Sequence, residues 1–553
     1  MAGSPCHLEG NRLSDRVSSV CDTRRVKIRI PATNVAELLR RRAGQVGDKV
    51  ALVDGDRRLT WGDLDTLVDA HSRGFSATGL VAGHRVALSL RNSVEFVVSY
   101  LAVLRAGMIA VPFNPISTTG EVARMLTDSG ARVCVCEPAT VGTVRAAVAG
   151  NLEAPPSRSG DEPASLVPRL IVAAAPPQPG ETAYGDLAVP GAPVISPRDS
   201  EGLAVLLYTS GTSGSPRGAM LSHRALLANI DQASQTRPAP VNRDDIVLGV
   251  LPLFHVYGLN AVLGQVLLQG ATLVLGKRFH ADDTLRLVAT EQVTCVPVAP
   301  PVISAWVDRA DAAGQLASVR TLLSGAGPLS EELVRRFEER IGVEVEQGYG
   351  LTEAAPIVTS TVGSPVHKPG SAGRAVPGVD LRVVDAAGDD AGVEDPGEIL
   401  VRGANLFSGY WPDGAEAPSP EGWLRTGDIG FLDADGDLFV VDRAKEIVIV
   451  SGFNVYPSEV EDVVHEVEDV RECAVIGIPD ERTGEAVHAF VVATDPGPAG
   501  TLPSAVRSHC EQRLARFKVP TTIEVVDELP HSATGKVAKG RLRAEQRRSM
   551  GLA

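Results

Sequence analysis

From residue 34 to 150 the apolar positions switch repeatedly between a helical and a strand-like period. Val35-Ala36-Glu37-Leu38-Leu39 opens a helix, and Arg85-Val86-Ala87-Leu88-Ser89-Leu90 reads as a strand. Helical spacing returns over 95–106, and 108–113 is a short apolar run of the buried-strand kind. This rhythm predicts layered α/β structure with parallel strands. Residues 151–200 break it: Pro155-Pro156, Pro176-Pro177 and repeated turn signals predict a long surface excursion. The alternation resumes near 203 and runs to about 345. Over 370–440, strand-like runs at 380–384 and 398–401 lie between Gly, Asp and Pro turns, which predicts a β-rich subdomain. From about 444 a compact mixed unit is expected, with strands at 472–477 and 488–492 and a helix near 502–516. No internal repeat or heptad array is legible.

A chain of 553 residues exceeds what one core organises, so several domains are expected. The fold expected is α/β: a large multi-subdomain N-terminal domain of layered α/β sheets with a β-rich subdomain, then a small α+β C-terminal domain. The net charge of −15 argues against a general nucleic-acid surface, although a local phosphate site stays open. The seven cysteines are scattered, only Cys134 and Cys136 being close, and form no zinc-type pairs. They read as reduced thiols of an intracellular protein. There is no signal peptide and no apolar run long enough for a membrane span. Residues 1–32 read as an irregular tail, whose Arg24, Arg25, Lys27 and Arg29 leave peripheral membrane contact open. Lysine is scarce: eight positions (27, 49, 277, 368, 445, 518, 536 and 539) against a large excess of arginine. A lysine that persists in a motif is expected to be there for its compact ammonium.

Four stretches carry chemistry. In Tyr208-Thr209-Ser210-Gly211-Thr212-Ser213-Gly214-Ser215-Pro216-Arg217-Gly218, glycines allow close backbone approach to an anion. The hydroxyls of Thr209, Ser210, Thr212 and Ser213 add donors, and Arg217 adds a fixed positive charge. The stretch suits a polyphosphate, but it lacks the Gly-Lys-Ser/Thr ending of a P-loop. In Gln347-Gly348-Tyr349-Gly350-Leu351-Thr352-Glu353, Tyr349 is suited to lie against a flat base, Thr352 to bond a phosphate and Glu353 to hold Mg²⁺. In Trp423-Leu424-Arg425-Thr426-Gly427-Asp428 and Val441-Asp442-Arg443-Ala444-Lys445, Asp428 and Arg443 suit the hydroxyls of a ribose. Trp423 reads as packing. In Ser532-Ala533-Thr534-Gly535-Lys536, a glycine loop projects Lys536. Taken singly these stretches are also compatible with a surface turn, an exposed strand end, a surface ion pair and a solvated lysine.

In this order, the four stretches resemble the acyl-adenylate-forming superfamily of acyl-CoA synthetases, luciferases and peptide-synthetase adenylation domains. The resemblance runs from about 34 to 547. Gly452-Phe453-Asn454-Val455-Tyr456-Pro457 and Thr352-Glu353-Ala354-Ala355-Pro356 look most like bacterial long-chain fatty acyl-CoA ligases. It implies an AMP-binding domain over 33–442 and a mobile C-terminal domain over 443–553, hinged near Lys445. It further implies that residues 209–218 cradle the phosphates of ATP and that Gly325-Ala326-Gly327 with Gly348 and Tyr349 frames the adenine. Thr352 would then touch the α-phosphate, Glu353 bind Mg²⁺, Asp428 and Arg443 hold the ribose, and Lys536 bridge carboxylate and α-phosphate. Arg217 stands where the family usually has lysine, which is expected to alter ATP affinity.

The segment Leu251-Pro252-Leu253-Phe254-His255-Val256-Tyr257-Gly258-Leu259 matches the stretch flanking the family's acyl pocket, to which Tyr257, Gly258 and Gly350 are assigned. His255 is expected between the carboxylate site and the thiol entrance, with a satisfied core histidine as the alternative. The segment has no aspartate for an amino acid's amine, and 259–268 is nearly all apolar, fitting either an alkyl tail or a core helix. The activity implied is ATP-dependent ligation of a fatty acid to coenzyme A in the cytoplasm or at a membrane surface. The alternatives are a ligase for aryl or other hydrophobic acids, an acyl-AMP ligase that loads a carrier protein, and a catalytically silent binding protein.

Overall fold

The computed structural model describes residues 29–150, 167–192, 199–209, 216–327, 329–443, 446–450, 453–480, 482–494, 501–531 and 536–549. Two seven-stranded sheets dominate the large domain. One runs Thr182–Ala183, Arg169–Val172, Val133–Cys136, Arg85–Ser89, Ile109–Pro112, Leu203–Thr209, Arg217–Ser222. The other runs Val345–Gln347, Thr321–Ser324, Cys295–Val298, Ile246–Gly249, Thr272–Leu275, Val50–Asp54, Arg57–Thr60. In each, five parallel strands stand in the chain order 5-4-3-1-2, and a further parallel strand with its antiparallel hairpin partner closes the edge. The hairpin follows the five strands in the first sheet and precedes them in the second. This topological repeat is invisible in the sequence, because a parallel strand needs only a short apolar run, not a particular one.

Helices cover both faces, so Ile109–Pro112, Val133–Cys136 and Thr272–Leu275 are buried along their whole length. The helix Val94–Arg105 is started by Ser93, whose hydroxyl accepts from the amide of Phe96 at 3.2 Å. Its last residue, Arg105, is fully buried and pairs with Asp65 and Asp69 at 2.7 and 2.8 Å. The proline-rich region departs from expectation. In its described part, Arg169–Val172 and Thr182–Ala183 extend the first sheet, while 151–166 and 193–198 lie outside the described residues. Three consecutive buried residues, Leu170, Ile171 and Val172, suffice for that strand, too few to stand out among the surrounding turn residues.

The β-rich region is an antiparallel meander of Val379–Val384, Gly397–Gly403, Trp423–Leu432 and Leu438–Arg443. A separate C-terminal domain then builds its own apolar core from Val448, Val455, Val460, Val475, Val487, Val491 and Val506. Its hairpin of Val470–Asp480 and Gly484–Ala493 is flanked by helices Pro457–His465, Leu502–Arg513 and Lys539–Ser549. Lys368 Nζ gathers Asp433, Asp435 and Asp437 at 2.5, 2.6 and 3.0 Å, clamping the turn between the last two strands of the meander. Lys518 pairs with Glu459 at 2.5 Å and Lys539 with Glu461 at 2.8 Å. The described cysteines 134, 136, 295, 473 and 510 are buried free thiols. Among the described residues no helix is long and apolar enough to cross a membrane.

Candidate active site

The glycine- and hydroxyl-rich stretch joins two antiparallel strands. Leu203–Thr209 returns as Arg217–Ser222, with Thr209 directly opposite Arg217. The stretch therefore closes a β-hairpin, not the strand-to-helix turn of a P-loop. Ser210, Gly211, Thr212, Ser213 and Gly214 lie outside the described residues, as does the hinge candidate Lys445. Arg217 pairs with Glu416 at 2.7 Å, and its guanidinium carbon lies 3.7 Å from the centre of the Tyr410 ring. The hydroxyl of Tyr410 donates to Oε1 of Glu353. Arg217 and Glu353, 136 positions apart in sequence numbering, thus share one tyrosine.

The adenine candidates converge because their strands are neighbours. Ser324 and Gln347 are register partners at the carboxyl ends of two parallel strands. From there Gly325-Ala326-Gly327 and Gly348-Tyr349-Gly350 emerge side by side, at the sheet edge where α/β folds commonly bind ligands. Ala326 is held at φ +67°, a left-handed conformation that costs a residue with a Cβ about 1–2 kcal/mol. Gly348 and Gly350 are required by close approach, since a Cβ would stand 2.8 Å from the carbonyl oxygen of Thr359 and 2.3 Å from that of Pro356. Thr352 and Glu353 lie in the short turn Thr352–Ala354. Asn405 and Asn260 pin that turn by donating to the carbonyls of Ala354 and Ala355, each at 2.7 Å. Asn260 stands out in the sequence only as a polar residue in the otherwise apolar 259–268 stretch, and Asn405 carries no such signal.

Asp428 sits where Gly427, at φ +72°, kinks the strand Trp423–Leu432. It is 4% exposed and accepts from the hydroxyl of Tyr349 at 2.6 Å. Arg443 is its register partner on the adjacent strand. The ribose candidates are thereby brought together with the adenine candidate. Trp423 packs beneath the guanidinium groups of Arg402 and Arg382, at 4.6 and 5.4 Å from its ring centre.

Lys536 reaches this edge from the other domain. A Cβ placed on Gly327 would be 3.9 Å from Lys536 Cε. Burial, with the Lys536 ammonium adding to it, pushes the His255 imidazole down to about 4. Nδ1 of His255 accepts from the amide of Tyr257 at 3.3 Å, which suits a neutral ring with its proton on Nε2. Tyr257 donates to the carbonyl of Leu323 at 3.3 Å, and its ring covers Gly325, where a Cβ would be 3.0 Å away. Gly258 leaves no room for a side chain, with the Pro252 carbonyl oxygen 2.3 Å from its would-be Cβ. The apolar stretch after it is a core element: Tyr257–Gly264 and Gln265–Gln269 bury Leu259, Val262, Leu263, Val266 and Leu267. Its two polar residues donate to backbone carbonyls, Asn260 to those of Leu226 and Ala355 and Gln265 to that of Ile230, while their side-chain oxygens are buried with no hydrogen bond among the described residues.

The donor set fits a substrate-bound Mg²⁺. Glu353 is partly buried, Tyr410 takes Oε1, and among the described residues no hydrogen bond engages Oε2. One carboxylate beside a phosphate site matches a cation held mainly by phosphates and water.

Known proteins resemble this chain in sequence and fold. The AMP-binding enzyme family model matches residues 39–411, and the model for the AMP-binding enzyme C-terminal domain matches 459–536. The 4-coumarate–CoA ligase 5 of Oryza sativa subsp. japonica is 35% identical over 520 residues, covering 90% of this chain and 92% of its own. A long-chain-fatty-acid–CoA ligase of Bacillus subtilis is 31% identical over 551 residues, covering 94% and 95%. The anthranilate CoA ligase AuaEII, solved with anthranoyl-AMP, superposes with a TM-score of 0.85 at 27% identity, over 94% of this chain and 98% of its own. With its glycine turns, Asp428 and Lys536 gathered at one sheet edge, the chain belongs to the AMP-binding, acyl-adenylate-forming enzyme family.

Proposed function

We propose that this chain is an ATP-dependent acid–coenzyme A ligase acting on fatty acids, with its hinge at residues 443–445. The observation that carries the reading is Lys536, delivered by the C-terminal domain to Gly327, one of the adenine candidates, where its charge is felt at His255. In the first half-reaction a carboxylate oxygen bonds the α-phosphorus of ATP, and the bond to the β-phosphate oxygen breaks, releasing pyrophosphate with the electron pair. Two anions must meet, so the Lys536 ammonium and the Thr352 hydroxyl act by stabilising charge, with no covalent nucleophile from the protein. Mg²⁺ at Glu353 would neutralise phosphate charge when bound. Asp428, with Tyr349 behind it, orients the ribose, and the neutral His255 adds no charge beside the lysine. In the second half-reaction the thiol sulfur bonds the acyl carbon, its proton passes to solvent, and AMP leaves with the C–O electron pair. Withdrawal of Lys536 with its domain opens the path for the thiol.

Support for a fatty acid comes from the Bacillus subtilis relative and from the lack of an acidic residue over 251–259 to hold an amine. An aryl acid is the second reading, favoured by the rice relative and by the flat Tyr257 ring against Gly325. Thioester formation from ATP, Mg²⁺ and coenzyme A, measured over fatty acids of graded length and over cinnamic, benzoic and indolic acids, separates the two. An optimum among fatty acids is expected. An optimum among aryl acids would replace the first reading with the second, and adenylate without thioester would point to a carrier-protein acceptor.

A further inference from the structure

Tyr410 lies at the junction of two arms of the site, the phosphate-loop cation and the metal-ligand candidate. Its segment is stitched to both by backbone hydrogen bonds. Met220 donates to Gly409 at 3.1 Å, Trp411 to Gly218 at 2.7 Å, and Phe407 to the carbonyl of Glu353 at 2.8 Å. Phe407 packs edge-on against the Tyr410 ring at 5.2 Å between centres, which limits the ring's rotation. One ring face then carries the Arg217 guanidinium carbon at 3.7 Å from the centre, and the hydroxyl donates to Glu353.

We propose that Tyr410 is a positioning residue for Mg·ATP: its hydroxyl holds the Glu353 carboxylate through Oε1, which would leave Oε2 for the cation, while its ring holds the Arg217 guanidinium flat, where it would serve the phosphates. This rests on the ligase reading above. It also accounts for the arginine at 217. A planar guanidinium stacks on an aromatic face and still offers donors at its rim, whereas an ammonium is a strongly hydrated point charge that gains less there. Glu416 pairs with Arg217 from an exposed position, a contact weak enough for a phosphate to displace.

The two halves of the role are separable. Tyr410→Phe keeps the ring and removes the hydroxyl, whereas Tyr410→Leu removes both. The measurement is binding of Mn²⁺, followed by its electron paramagnetic resonance signal, to the full chain saturated with the non-cleavable analogue AMPCPP. Calorimetry of AMPCPP without metal runs alongside. Tyr410→Phe is expected to weaken Mn²⁺ binding by about tenfold and to leave metal-free nucleotide affinity unchanged. Tyr410→Leu and Arg217→Lys are each expected to weaken metal-free AMPCPP by about threefold or more. Adding Arg217→Lys to Tyr410→Leu should cause no further loss, because the stack is already gone. Equal Mn²⁺ affinity in wild type and Tyr410→Phe, with unchanged thermal midpoints, would overturn the proposal while leaving the ligase reading intact. Failure of the wild type to bind Mn·AMPCPP would overturn the ligase reading and this proposal together.

Discussion

The phenol of Tyr349 donates a 2.6 Å hydrogen bond to Asp428, joining two motifs 79 residues apart. Asp428 is buried, and a hydrogen bond to a carboxylate oxygen is of the stronger, charge-assisted kind. Hydrogen bonds to charged groups are worth about 1.5–3 kcal/mol. Tyr349→Phe is therefore expected to raise the KM for ATP by roughly tenfold or more, with a smaller change in kcat. An unchanged KM would mean that Asp428 holds the ribose without help from the tyrosine.

Lys536 approaches the large domain at Gly327, and its charge is felt at His255. If its ammonium serves only the adenylation step, Lys536→Ala should slow acid-dependent ATP–pyrophosphate exchange by about 10²–10³-fold or more. The same variant should still convert supplied acyl-adenylate and coenzyme A to thioester. Equal loss in both assays would refute that division of labour.

The His255 imidazole, pushed down to about 4 chiefly by burial, stays neutral throughout the physiological range. An unfolded chain protonates histidine near 6.5. Between about 6.5 and 4 the unfolded chain holds the extra proton, so this group removes stability as pH falls through that window and contributes nothing above it. The adenylation rate from pH 6 to 8 should show no histidine limb belonging to His255. A limb near 6.5 in the wild type that His255→Gln abolishes would contradict this.

Lys539 and Glu461 form a mostly buried pair inside the C-terminal domain, their side chains 14% and 16% exposed. Glu461 also accepts from the amide of Val475 at 2.6 Å. Removing one partner of such a pair typically costs about 3–5 kcal/mol. Lys539→Met should accordingly lower the thermal midpoint of the C-terminal domain by several degrees. Burial pushes Glu461 up to about 7, against the attraction of Lys539. Its contribution is then fully present below the unfolded value near 4.5 and is lost as pH rises through about 7. Glu461→Gln should flatten that decline in a series of melts from pH 4.5 to 8.

The chain's own pattern determined a good deal. Periodicity and turn residues predicted the α/β layers, the β-rich run over 370–440 and the compact C-terminal unit, because buried strands and amphipathic helices impose local spacings and turns favour Gly, Asp and Pro. The order of the four motifs identified the family, since glycines at 348 and 350 and the lone lysine at 536 are needed wherever a backbone or a small cation must come close. What no local pattern holds is which distant residues meet. The matching 5-4-3-1-2 order of the two sheets, the strand at Arg169–Val172, the asparagines 260 and 405 behind Glu353, and Tyr410 between Arg217 and Glu353 emerge only when the elements stack. Periodicity constrains a side chain within its own helix or strand. Its partner is set by the packing of that element against others tens to hundreds of residues away, where the burial of apolar faces decides the neighbours and the polar contacts follow.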